Sequence, residues 1–310
     1  MPSDPFEHMQ AAVDIVGTSP HPTNKIAATL FGPGFSVSRT NDWPEIIREK
    51  IGIEVRIGNS SGTLHAETAC ILAAHRPTEG ASLCITDPFC PNCAKNIAEA
   101  GIKTIYIDHK GFQKDFIARR ADHFTNMSMR ICEKAGITVY EIRRKEKRLV
   151  SIYEPPTGYV PYDEDSVKIF SGASFDTLCR KTEKEQKNRR FACALATDEN
   201  GAFFGLMARA HPAIGYAFAT DREEIGHPDG KYSFMLEPLN RLLMAAPRRG
   251  LRLVEGMVYV NGVPTARELV NFVGAGFRSL AIGAPEKARD EGARAALGLL
   301  EEKGVLATSS

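Results

Sequence analysis

The 310-residue sequence predicts an α/β fold repeated in tandem, and two observations carry this prediction. Between residues 65 and 142, short apolar runs alternate with helical patterns, so that three strands are separated by helices. This order favours parallel pairing of the strands, because each helix carries the chain back across the sheet. The same order of patterns returns after residue 190, and a chain of this length exceeds one typical domain. We therefore expect two α/β domains.

The elements before this alternation are a helix and a hairpin. Residues 6–16 have helical spacing and end at a glycine. The apolar run 25–31, the Gly-Pro-Gly turn 32–34 and the run 35–38 predict two antiparallel strands. Residues 45–52 predict one or two helical turns.

Four residues with metal or proton chemistry stand at the starts of two predicted helices. His65 and Glu67 open a helix with apolar residues at helical spacing, and Cys90 and Cys93 open the next one. Pro91 suits the first turn of that second helix. The unpaired N–H groups and positive dipole ends of two helix N-termini favour thiolates and bound hydroxide.

These residues predict a catalytic Zn²⁺ site. His65, Cys90 and Cys93 offer ligands that zinc prefers, and three protein ligands with a fourth position for water are typical of catalysis. Zinc lowers the pKa of a bound water to about 7, and Glu67 could pass the proton of that water to a ring nitrogen. The predicted reaction is hydrolytic loss of ammonia from an amidine-like ring carbon.

The motifs resemble the CMP/dCMP-type family of zinc-dependent deaminases. Residues 65–67 match the H-x-E part of the sequence pattern of these enzymes, and residues 90–93 match the C-x-x-C of its P-C-x-x-C part. Segments 25–28, 100–103 and 134–137 extend the resemblance over the whole first half. It implies a three-layer cytidine-deaminase-like fold, a mixed sheet with helices on both faces. It also implies the ligand set and proton shuttle given above.

The resemblance further implies substrate contacts. Asn41 stands where family members place a nucleoside-contacting asparagine, although an ordinary turn-capping asparagine also fits. Asn24 and the backbone N–H of Ala66 are further candidates. Phe89 replaces the proline that the family has before the first cysteine, and Arg39 stands near a usual glycine, as a phosphate contact or an exposed strand-end residue. Because Phe89 and Arg39 differ from the family pattern, the sequence does not identify the substrate.

The domain boundary is predicted next to residue 148. The charge run 143–148 is soon followed by a Pro-Pro-Thr-Gly breaker, so we assign 1–148 to a catalytic zinc deaminase domain and 149–310 to a degenerate deaminase-like domain. In the second domain, segments 235–237 and 263–266 take the places of the two metal motifs. The zinc ligands would then be replaced by Met235, Val263 and Ala266.

The composition of the chain predicts which kinds of partner it binds and in which cellular compartment it works. The formal net charge of +1 makes a long nucleic-acid footprint unlikely and gives no case for a membrane surface. Seven cysteines, mostly in apolar runs, do not resemble a secreted disulfide framework. The N-terminus lacks a signal-peptide pattern, and no apolar stretch is long enough to cross a bilayer. We expect a cytoplasmic protein with a small-molecule substrate. A homodimer is expected only because homodimers are the commonest oligomers of soluble proteins.

The function predicted first is zinc-dependent deamination of a cytosine nucleotide or nucleoside, from a dCMP-like to a dUMP-like compound. Deamination of another base or pyrimidine, such as guanine or a riboflavin-pathway intermediate, stays open. A riboflavin-pathway protein with a second-half reductase would need a Gly-rich phosphate loop, and the second half offers none that is convincing. A zinc-stabilised binding or regulatory module and a nucleic-acid editor are further alternatives.

Overall fold

The computed structural model describes residues 4–114, 121–164, 166–172, 174–187, 189–226 and 232–309. Residues 1–3 of the N-terminus lie outside these ranges. Residue 188, the last residue of a helix that the sequence predicts over 175–188, also lies outside them. The described helices are α1 (Pro5–Val16), α2 (Glu45–Lys50), α3 (Ala66–Leu72), α4 (Pro91–Glu99), α5 (Ala121–His123 and Arg130–Lys134, joined by the π-helical segment Phe124–Met129), α6 (Phe175–Glu185), α7 (Arg222–Gly226), α8 (Pro238–Arg248), α9 (Ala266–Gly274) and α10 (Glu291–Glu302).

The strands fall into two six-stranded sheets and two small ladders. The first sheet contains β1 (Ala27–Gly32), β2 (Phe35–Thr40), β5 (Ser82–Ile85), β6 (Thr104–Asp108), β7 (Thr138–Arg143) and β8 (Arg148–Tyr153). The second contains β9 (Val167–Ser171), β10 (Phe191–Thr197), β11 (Phe203–Arg209), β14 (Arg252–Val260), β15 (Ser279–Ile282) and β16 (Ala307–Ser309). The ladders pair β3 (Arg56–Ile57) with β4 (Ser60–Ser61), and β12 (His211–Pro212) with β13 (Met235–Leu236).

The first sheet has the order β2-β1-β5-β6-β7-β8. Strand β1 runs antiparallel to both neighbours, whereas β5, β6 and β7 are parallel, which confirms the predicted hairpin and parallel alternation. Strand β8 starts at the predicted domain boundary and pairs antiparallel with β7. The first sheet thus continues past residue 148, and the division into domains stays a prediction.

The second sheet repeats this topology. Its order is β9-β11-β10-β14-β15-β16, in which β10 is antiparallel to both neighbours and β14, β15 and β16 are parallel. The five strands β2-β1-β5-β6-β7 therefore correspond to β11-β10-β14-β15-β16 in order and direction. This correspondence confirms a duplicated mixed-sheet α/β fold.

The two halves share one apolar core, because buried residues of both sheets and their helices form a single cluster. Helix α8 packs against α3 and α4 of the first half. Between α8 and α4, Arg241 donates to the carboxylate of Glu99, and both side chains are buried. The Arg241 guanidinium also donates to the carbonyl oxygens of His211 and Pro212, at 3.0 and 2.9 Å. Because an unpaired buried charge costs several kcal/mol, on the order of 3–5, this contact fixes how α8 lies against α4.

None of the described helices is both long enough and apolar enough to cross a membrane.

Candidate active site

Two helix N-termini bring the predicted ligands together. His65 is the N-cap residue of α3 and Cys90 that of α4; both have extended backbone, with φ/ψ of −74°/147° and −83°/163°. Pro91 is the first residue of α4, where its missing N–H costs nothing, and Cys93 lies in the same turn. Glu67 lies in the first turn of α3. The local sequence signals thus place all four side chains at one point.

The three ligand atoms have the spacing of a zinc site. His65 Nδ1 lies 3.2 Å from Cys93 Sγ and 3.6 Å from Cys90 Sγ, and the two sulfurs are 3.6 Å apart. Ordinary Zn–S and Zn–N distances in a tetrahedron separate two sulfurs by about 3.8 Å and sulfur from nitrogen by about 3.6 Å. A tetrahedral metal therefore fits this set. In the described part of the chain no fourth His, Cys, Asp or Glu completes the group.

The electrostatics of the site favour a thiolate and a protonatable carboxylate. The hydrogen bond with Cys93 and the neighbouring His65 hold the pKa of Cys90 well below its usual range, against the effect of burial. Burial raises the pKa of the Glu67 carboxyl, and the nearby His65 lowers it in part. Glu67 is 3 % exposed. A raised pKa makes this carboxyl a better proton acceptor than an exposed glutamate, as a group that takes up and passes on a proton requires.

A narrow cavity of about 40 Å³ opens beside His65 and Glu67. Its wall is mainly apolar and aromatic, and consists of Ile26, Pro88, Phe89, Cys90, Pro91, His123, Phe124 and Tyr232. The rings of Phe89 and Phe124 meet edge to face, with centroids 5.5 Å apart. Phe89, which replaces the family's proline, thus forms part of the wall. No sequence motif points to His123, Phe124 or Tyr232 as lining residues, and Tyr232 comes from the second half.

The predicted substrate-contacting residues are not among the described residues that line this cavity, although Ala66 stands between His65 and Glu67, which line it. Asn41 is buried, and its Oδ1 accepts hydrogen bonds from Ser19 Oγ at 2.8 Å and Ile26 N at 2.9 Å. Its Nδ2 donates to the carbonyl oxygen of Asn24 at 2.9 Å. Among the described residues, the cavity lining includes Ile26 and does not include Asn41, Asn24 or Ala66. Asn41 thus holds the loop that carries Ile26, and the three substrate contacts stay predictions.

Arg39, the other departure from the family pattern, lies on strand β2 outside the cavity. Its Nη1 donates to the carbonyl oxygen of Ser38 at 2.8 Å.

The second half has its own pair of helix N-termini at the corresponding place. Asn261 follows β14 and accepts the N–H of Phe191 through Oδ1, as Thr86 after β5 accepts the N–H of Ala27. Thr86 and Asn261 are therefore equivalent positions. Four residues further along each half, Cys90 corresponds to Thr265. Thr265 is indeed the N-cap residue of α9.

The structure therefore corrects the predicted register of the repeat. Glu237, Thr265 and Glu268 occupy the places of His65, Cys90 and Cys93, two residues beyond the predicted Met235, Val263 and Ala266. The predicted register was wrong because it aligned two prolines that are not equivalent. Pro91 is the first residue of α4, whereas Pro264 precedes the N-cap residue of α9. The His-Cys-Cys set of the first half is nevertheless not repeated at these three positions.

A carboxylate joins the two helix N-termini in the second half. Glu268 Oε1 accepts the backbone N–H groups of Leu239 and Asn240, at 2.9 and 3.4 Å. Its Oε2 accepts the N–H and the hydroxyl of Thr265, both at 2.8 Å. The group that links two helices is therefore a side chain in this half, where the first half has a metal-type cluster.

Sequence comparisons with known proteins match parts of this chain. No family model matches the chain. An uncharacterized deaminase in the luxG 3′ region of Aliivibrio fischeri is 30% identical over 128 residues, which are 41% of this chain and 85% of that protein. ComE operon protein 2 of Bacillus subtilis is 32% identical over 87 residues, 27% of this chain and 40% of that protein.

Among solved structures, the dCMP deaminase of the cyanophage S-TIM5, in complex with dCMP and dUMP, is 21% identical with a TM-score of 0.34. The match covers 46% of this chain and 98% of that one.

Fold and site together define an α/β protein with a duplicated sheet and a metal-type His-Cys-Cys cluster in its first half. The chain belongs to the deaminase family, since it spans 85% of the Aliivibrio fischeri deaminase at 30% identity.

Proposed function

We propose that this chain is a zinc-dependent hydrolytic deaminase that acts on a cytosine nucleotide or nucleoside, with a dCMP-like substrate first. One observation carries the proposal: the ligand atoms of His65, Cys90 and Cys93 lie within 4.8 Å of one another beside the buried Glu67. Membership of the deaminase family supports it. The chemistry belongs to residues 1–148, and 149–310 form a degenerate domain that contributes part of the cavity wall.

The three ligands would hold Zn²⁺, which supplies Lewis-acid chemistry and lowers the pKa of water when bound. Glu67 takes a proton from the attacking water and delivers it to the ring nitrogen next to the reacting carbon. The water oxygen forms a bond to that carbon, and one proton of the water stays on the ring nitrogen. Glu67 transfers the other proton to the exocyclic amino group, whose bond to the carbon breaks, so that it leaves as ammonia. Glu67 ends in its starting state, so one carboxylate serves as base and then as acid.

The cavity wall suits a flat ring. Phe89, Phe124 and Tyr232 offer aromatic surface and keep water away from Glu67. Because the cavity is narrow, a pyrimidine ring enters only when these side chains move apart. Substrate selection therefore depends on the aromatic wall as well as on the metal-type cluster.

The test is ammonia release by the zinc-loaded protein across dCMP, CMP, deoxycytidine, cytidine, guanine and adenine compounds. We expect turnover of a cytosine compound, with the deaminated product confirmed by mass, and no release by the Glu67→Ala variant. Release that survives Glu67→Ala would contradict the proposal. So would the absence of any turnover in a protein that holds stoichiometric zinc.

A further inference from the structure

A second cavity lies in the second half at the place that corresponds to the catalytic cavity. Ile26, which precedes β1, and His65, the N-cap residue of α3, line the catalytic cavity. Arg190, which precedes β10, and Glu237, the N-cap residue of α8, line the second one. The duplication has thus kept a cavity at this position while the ligand set changed.

The second cavity is large and cationic. Its volume is about 630 Å³, within the usual range for small-molecule sites. Arg189, Arg190, Arg209 and Arg289 line it, together with two glutamates, so its formal charge is +2. Planar guanidinium groups bind phosphate oxygens in a bidentate manner, which makes an arginine-lined cavity suited to an anion.

Two of these arginines have donors to spare. The two glutamates pair with three of the arginines: Glu237 Oε1 lies 2.5 Å from Arg289 Nη1 and its Oε2 lies 3.2 Å from Arg190 Nε, and Glu164 Oε2 lies 2.8 Å from Arg209 Nη2. The Arg209 Nε is nevertheless buried, and no hydrogen-bond partner for it exists in the described part of the chain. The Arg189 side chain is exposed and makes no hydrogen bond or ion pair to the described residues. The Arg189 guanidinium is therefore accessible to a ligand, and the Arg209 Nε lacks an acceptor that a ligand could supply.

An aromatic ring completes the wall. Phe218 lines the cavity and is 49% exposed, an unusual state for a large apolar side chain that forms the wall of a pocket. Its ring stands edge to face with His211, with centroids 5.6 Å apart. An exposed ring beside free guanidinium groups offers a stacking surface for a planar ring.

We propose that this second cavity binds a phosphate ester that carries a planar ring, of the nucleoside monophosphate class. Arg189 and Arg209 hold the phosphate, and Phe218 stacks on the ring. The cavity is assigned a binding role only. This site is separate from the proposed deaminase chemistry.

Calorimetric titration tests the proposal with three probes: inorganic phosphate, uridine 5′-monophosphate and uncharged uridine. We expect the two charged probes to bind and uridine to bind at least about tenfold more weakly than the monophosphate. Arg189→Ala and Arg209→Ala each lower the affinity for both charged probes about tenfold, since a hydrogen bond to a charged group is lost. Phe218→Ala lowers the affinity for the monophosphate and leaves the affinity for inorganic phosphate unchanged.

The control is Arg252→Ala, which removes another exposed arginine of the second half and leaves binding unchanged. Arg189 has no described partner, so its variant keeps the fold, as a thermal melt verifies. Absence of binding by both charged probes, or equal affinity in Arg189→Ala, Arg209→Ala and wild type, would overturn the proposal. Binding is measured without turnover, so the result does not depend on the deaminase chemistry.

Discussion

The carboxylate of Glu268 accepts the backbone N–H of Leu239 at 2.9 Å and thereby joins helix α9 to the N-terminus of α8. The corresponding helices of the first half, α3 and α4, meet instead at His65, Cys90 and Cys93. A side chain has therefore replaced a metal-type cluster as the link between two helix N-termini.

Replacing Glu268 by alanine removes the acceptor of four donors, of which the N–H groups of Leu239 and Asn240 are buried and the two donors of Thr265 are partly buried. We expect Glu268→Ala to lower the free energy of unfolding by about 2–6 kcal/mol, because each of the two buried donors left unsatisfied costs about 1–3 kcal/mol. Glu268→Gln keeps one acceptor oxygen, so we expect it to lower the free energy of unfolding by less than Glu268→Ala does. Urea denaturation followed by circular dichroism measures both. The exposed Glu223→Ala serves as control and changes stability by less than about 0.5 kcal/mol. A Glu268→Ala variant as stable as this control would refute the bridging role.

Tyr232 connects the second half to the proposed chemistry, since it lines the catalytic cavity. We expect Tyr232→Ala to lower kcat/KM about tenfold or more, because a substrate ring loses part of the wall that orients it. The zinc content stays at the wild-type value. Phe203→Ala, which removes an exposed ring elsewhere in the second half, is the matched control. Equal kcat/KM in Tyr232→Ala and wild type would show that the second half has no part in substrate binding.

Asp221 ties the second half to Lys134 of the first, with Oδ1 2.6 Å from Nζ. Burial raises the pKa of its carboxyl, but the N–H of Ala217 and the Lys134 ammonium lower it more, so the net pKa lies below the usual value. The stabilisation is therefore present above the unfolded-state pKa of about 3.9 and is lost as pH falls through the native pKa. Asp221→Asn should cost about 1–3 kcal/mol at pH 7.

The difference between wild type and Asp221→Asn should narrow below about pH 4, because the Asp221 carboxyl takes up a proton in the unfolded chain before it does so in the native protein. Denaturant unfolding from pH 3 to pH 7 measures it. A difference that stays constant over this range would mean that the ionised carboxylate does not stabilise the fold.

Local signals explain why most of the first site could be predicted. His65 and Cys90 precede helices whose starts are visible in the sequence, and Pro91 fixes the first turn of α4. Spacing within a helix turn then brings Glu67 and Cys93 to the same point. None of these steps requires knowledge of distant contacts.

The features that could not be predicted depend on tertiary packing. Tyr232 reaches the cavity only because the halves pack together, and the buried pair Glu99–Arg241 joins residues 142 positions apart. The register of the repeat was wrong because proline stands on different sides of the two helix starts. Strand β8 was missed because it is a largely exposed edge strand of six residues that begins where the charge run 143–148 ends.

The most direct test of the central claim compares wild type with Glu67→Gln for both zinc content and ammonia release. Elemental analysis should give one zinc per chain in both proteins, since Glu67 is not a ligand. At equal zinc, ammonia release from the best cytosine substrate should fall by about 10²–10⁴-fold in the variant, because the proton shuttle is lost. Wild-type rates in zinc-loaded Glu67→Gln would contradict the account.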